Sequence, residues 1–141
     1  MTASSNEIEA VVRGFESCTT PPAEFKHASH LIVALCYLHD SRLTIAEAAE
    51  RLRAALYRYL DHNGVDRLKY NETITIFWLR RVRAFLDGAT QTRTTAELAA
   101  ELLERYSGGA KLVNDYYSQE RLFSAEARDG WVEPDLKPLD F

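Results

Sequence analysis

Apolar residues recur along this chain at three- and four-residue spacing, in runs separated by short polar segments with turn chemistry. That period marks amphipathic helices. Residues 5–17 carry Ile8, Val11, Val12 and Phe15 on one face. Thr19, Thr20, Pro21 and Pro22 follow. Proline in a first turn loses no donor that the helix needs, so the pattern predicts a second helix from about Pro22 to His39. Thr44 and Glu47 have the spacing of a capping box. Behind them runs a stripe of Ile45, Ala48, Ala49, Leu52, Leu56, Tyr59 and Leu60, with Glu50, Arg51, Arg53 and Arg58 on the outer faces. Asn63 and Gly64 end that helix. A fourth starts near Tyr70 or Asn71, carries Ile76, Leu79, Val82 and Leu86 inward, and stops at Gly88. Thr94 and Glu97 open a fifth, with Ala99, Leu102, Leu103 and Tyr106. A short sixth holds Leu112, Val113, Tyr116 and Tyr117.

Beyond Ser124 the chain offers one more helical turn and then VEPDLKPLDF, which Pro134 and Pro138 keep extended. An extended end so rich in apolar groups is expected to dock, through Trp131, Leu136 and Leu139. No segment alternates as a strand does; ITIFWL is β-branched but lies inside a helical pattern. The expected fold is therefore all-α. It is a single domain over 1–141, a bundle of five to six helices with an extended docked C-terminal tail.

Composition narrows the function. A hydrophobic share of 46% is too high for a disordered chain. With 17 Lys and Arg against 21 Asp and Glu, the net charge of −4 weighs against nucleic acid as a partner. No apolar run approaches the ~18 residues of a membrane span. The acidic start lacks the apolar core of a leader, and Cys18 and Cys36 form no C-x-x-C pair; both point to the cytoplasm. Phosphate loops, the G-x-S-x-G elbow and H-E-x-x-H are all missing.

Two places carry candidate chemistry. In EFKHASH, Glu24, His27 and His30 stand at successive steps of three. On a helix the two histidines lie about 60° apart, close enough to share an ion, and at the border of the apolar arc. Imidazole and carboxylate are preferred ligands of divalent Zn, Fe, Mn or Cu. The second place is YNET. Glu72 lies about 40° from Ile76 and about 20° from Leu79, so it is aimed at the core. A carboxylate there is costly unless paired, hydrogen-bonded or bound to metal. Structural roles stand beside these: Glu24 and Glu72 as first-turn acids, the histidines as a hydrogen-bonded pair.

The strings EFKHASHLIVALCYL, YNETITIFWL and FSAEARDGWVEPDLKPL resemble a family of small uncharacterised bacterial helical proteins. That family combines a T-H-x-x-H-L helix start, a Y-H-E-T helix start and a V-x-P-D-L-x-P-L tail. The similarity runs from about Phe25 to Leu139. It implies that His27, His30, Tyr70, Glu72 and Thr73 occupy the family's motif positions. Two positions depart: Lys26 stands where the family often has threonine, and Asn71 where it usually has histidine. If that histidine is a ligand in relatives, this chain has lost one; if it is a neighbour of a ligand, Asn71 can still hydrogen-bond.

These residues predict that the starts of the second and fourth helices meet in one pocket that takes a small molecule. One reading is an enzyme, with His27, His30 and Glu72 on a metal, or with His30 and Glu72 as acid–base groups. There Tyr70, Asn71, Thr73 and Glu24 are binding partners. The other is a non-catalytic small-molecule or partner-binding bundle with a buried His/Glu network.

Overall fold

A computed structural model describes residues 4–89 and 93–141. Five long helices carry the fold: α1 Ser5–Glu16, α2 His27–Leu35, α3 Ile45–His62, α4 Glu72–Asp87 and α5 Thr95–Tyr106. Two short ones follow, α6 Gln119–Leu122 and α7 Ala125–Asp129. The described residues contain no strand. None of their helices is long and apolar enough to cross a membrane.

Local chemistry sets the helix starts. Ser4 with Glu7, Thr44 with Glu47 and Thr94 with Glu97 form reciprocal capping boxes at α1, α3 and α5. Each satisfies two backbone donors that the helix itself leaves free. Asn71 caps α4 through its side-chain oxygen, which accepts from the Ile74 amide at 3.0 Å. Gly64, at φ +67, ends α3 in the left-handed region that glycine enters without strain. The chain reverses so tightly after α1 that a Cβ on Gly14 would sit 2.2 Å from Thr20 Oγ1.

The helix expected from Pro22 is broken. Pro22–Glu24 make a single 3₁₀ turn, and Phe25 and Lys26 leave the helical region before α2 begins at His27. Lys26 is fully extended, at φ −103 and ψ −179. Ser29 Oγ accepts the Lys26 amide at 3.2 Å, which fixes this later start. The break removes Glu24 from the face shared by the two histidines. At its other end α2 widens into a π-helical turn, Cys36–Asp40. The expected sixth helix is a 3₁₀ segment, Ala110–Asp115, followed by α6.

The apolar faces meet in one core. α4 is its centre and packs against α2, α3, α5 and α7. Phe77, Leu79 and Val82 are completely enclosed, while Trp78 is buried at the helix's cavity-facing edge.

The tail is docked, chiefly through polar groups and aromatic rings. Thr73 Oγ1 donates to the Gly130 carbonyl at 2.7 Å, and Tyr117 donates to the Val132 carbonyl at 2.6 Å. Asp135 accepts from both the Ser118 amide and its hydroxyl. Trp131 is half-buried beneath the Arg80 guanidinium, 4.3 Å from its ring centre, and Phe141 packs edge-on against Phe77. Leu136, expected to be an anchor, is instead 57% exposed. Its backbone makes the attachment, donating to the Tyr116 carbonyl at 2.9 Å. Trp131→Ala is therefore expected to lower stability by about 1.5 kcal/mol, part of a core tryptophan's worth plus a cation–π contact. Leu136→Ala should be nearly neutral. Equal effects of the two in urea melts would contradict this picture of the tail.

Candidate functional site

The starts of α2 and α4 and the end of α3 lie at one end of the bundle and surround a cavity of about 560 Å³. His27 and His30 enter it from α2, and Leu52, Leu56, Tyr59 and Leu60 from α3. Tyr70, Asn71, Ile74 and Trp78 line the α4 side. The α3 stripe explains the opening: Ala48, Ala49, Leu52, Ala55 and Tyr59 are buried, whereas Leu56 and Leu60 are only half covered because they face the space. The lining is mostly apolar, with a few polar groups, as small-molecule sites are.

The histidines are held by aromatic neighbours. His30 lies against Phe25, with ring centres 4.4 Å apart, and His27 meets Trp78 edge-on at 4.6 Å. Phe25 is in turn stacked on Phe15 at 4.5 Å. The extended break before α2 is what swings Phe25 into this position. Burial lowers the pKa of His30 to about 4, with the neighbouring His27 adding to the effect. His27 is lowered as well, by burial, which the Tyr106 backbone partly offsets. Both rings are therefore neutral at pH 7, each with one donor and one acceptor nitrogen. His27 Nε2 is buried and has no hydrogen-bond partner among the described residues.

Glu72 is buried as its helix position predicted, but it is turned away from the histidines. Arg53 Nη1 donates to its Oε2 at 2.9 Å, and the Tyr70 hydroxyl donates to Oε1. The cavity lining does not include it. Arg53, read from the pattern as an outer-face residue, is half-buried at the edge of the α3 stripe, where its long side chain reaches the carboxylate. Tyr70 links the two places: its ring lines the cavity while its hydroxyl serves Glu72. Burial, reinforced by that bond to a carboxylate, pushes the Tyr70 hydroxyl far above its ordinary pKa.

The other candidates separate by task. Asn71 borders the cavity but has both side-chain ends committed, capping α4 and donating to the Leu122 carbonyl at 2.8 Å. Thr73 binds the tail. Glu24 is exposed on the 3₁₀ turn outside the cavity. Among the described residues, no three His, Cys, Asp or Glu side chains form a metal-ligand set. His27 and His30 are a pair that could serve as two imidazole ligands, the remaining positions falling to water or a bound molecule.

Sequence reasoning missed Phe25, Trp78, Leu56 and Lys69 as lining residues. Leu56 and Trp78 carry the same signal as any core position, since facing a core and facing a cavity within it give one periodicity. Comparison with models of known families, with curated proteins and with solved structures finds no match to this chain.

Proposed function

We propose that this protein is a small-molecule-binding bundle whose ligand enters between α2, α3 and α4 and packs its apolar body on Phe25, Leu56, Ile74 and Trp78. The observation that carries the reading is the cavity itself. Its volume of about 560 Å³ falls within the range of small-molecule sites, and its lining includes His27, whose buried Nε2 has no hydrogen-bond partner among the described residues. Burying a polar atom without a partner is costly, and a ligand whose hydrogen-bonding group reached His27 Nε2 would relieve that cost. Binding fits better than proton transfer. An imidazole with a pKa of about 4 is a weak base at neutral pH, and Glu72 is held by Arg53 and Tyr70.

Filling the space tests the reading. Leu56→Trp places an indole in the cavity from a half-covered position. Nile red, a neutral dye that brightens in apolar surroundings, should bind the native protein at one site and lose at least about tenfold in affinity in the variant, equivalent to ~1.4 kcal/mol. Unchanged dye binding in a folded Leu56→Trp protein would contradict it.

A second reading has one specific observation behind it. The unpartnered His27 Nε2, beside His30, suits a divalent transition metal as one member of a two-histidine ligand pair. Titration with Zn²⁺ or Co²⁺ decides between them. Stoichiometric binding lost in His27→Ala supports the metal; dye binding that ignores both ions supports the simple cavity.

A further inference from the structure

The cavity lining is asymmetric in charge. Among the described residues Lys69 is the only charged one lining it, and no carboxylate does so. Lys69 sits at the end of the 3₁₀ turn Arg67–Lys69, which is fastened on both sides. Arg67 pairs with Asp61 at 2.6 Å and lies over the Tyr57 ring at 4.6 Å. Asp66 caps the turn by accepting the Leu68 amide at 2.9 Å. The two carboxylates nearest in sequence are occupied by other groups, Asp66 by the Leu68 amide and Glu72 by Arg53 and Tyr70, and Lys69 makes no ion pair among the described residues. Lys69 is exposed to solvent and also lines the cavity, whose other lining residues are mostly apolar and include His30.

From this charge arrangement we infer that the ligand is an amphipathic organic monocarboxylate, with its carboxylate at Lys69 and its apolar body directed inward toward His30 and Trp78. This rests on the cavity-binding reading above and adds the ligand's charge and orientation. Three features agree on it. An apolar body fits the lining, where a second charge would be desolvated with no partner. A single anionic end meets the single cation. The cation is exposed to solvent, so the carboxylate stays partly hydrated while it pairs. A cationic or polyanionic ligand finds no such match, the first because it meets only Lys69, the second because its further charges would have to be buried.

Matched probes separate this inference from the reading beneath it. Decanoate and decanol share an apolar chain and differ in the charged end. Both are titrated by displacement of Nile red at low ionic strength. Decanoate should bind about fivefold more tightly than decanol, the scale of one partly solvated ion pair, and the difference should shrink in high salt. Lys69→Met should abolish that advantage and leave decanol unchanged, while Lys69→Arg should restore it. If decanol binds as tightly as decanoate, or Lys69→Met weakens both alike, the monocarboxylate inference is overturned and the cavity reading stands. If decanoate, decanol and Nile red all fail to bind, both are overturned.

Discussion

Arg53→Met will destabilise the protein by about 2 kcal/mol, a fall of roughly 6 °C in melting temperature for a domain of this size. The reason lies with the residue left behind. The Glu72 side chain is only 10% exposed, and Arg53 is the cation that neutralises it. Breaking a fully buried pair costs several kcal/mol because a charge is stranded. Here the Arg53 side chain is 39% exposed, so water screens part of the interaction and the cost is smaller. Tyr70 still donates to the carboxylate in the variant and limits the damage further. Adding Glu72→Gln to Arg53→Met removes the stranded charge and should recover about half of the loss. A double variant less stable than Arg53→Met alone would show that Glu72 has some other partner.

The second large effect is a dependence on pH that originates at His30. Its folded pKa of about 4 lies below the ordinary value of 6.5. Between these limits the unfolded chain binds the proton and the folded protein does not. Stability therefore rises with pH from about 4 to 6.5 and is fully present above that window. Acid protonates the unfolded imidazole first and drains that stability as pH falls. The contribution is on the order of 3 kcal/mol across the window, and His27 acts in the same direction. Urea melts at pH 7 and pH 4.5 measure it. Native protein should lose markedly more stability between the two than His30→Gln does, since glutamine has no proton to gain. Parallel losses in the two proteins would place His30 in contact with water.

Helix identity was legible in the sequence wherever a cap and a stripe agreed, as at Thr44 with Glu47 and at Thr94 with Glu97. Where local signals competed, the reading slipped. Pro21 and Pro22 announce a helix start, yet the turn they open closes after three residues because Phe25 is drawn against Phe15 and Tyr59. That is a tertiary preference, which no local pattern displays. The meeting of the α2 and α4 starts followed from counting antiparallel helices. The burial of Glu72 followed from its angular position, but its partner did not. Arg53 sits at the edge of its stripe, and an arginine there can reach solvent or fold inward. Only the approach of α4 decides which. The cavity was hidden for a related reason: an apolar position reads the same whether its neighbour is a side chain or an empty space.

Methyl NMR of the protein titrated with decanol tests the central claim most directly, because it reports where a neutral ligand sits. The account predicts that the methyls of Ala34, Leu52, Leu56, Ile74 and Leu79, all on the cavity wall, shift together and saturate at one equivalent. The exposed Leu68 and Leu136 methyls should stay still. Shifts confined to Leu68 and Leu136, growing without saturation while the cavity methyls remain unmoved, would contradict it.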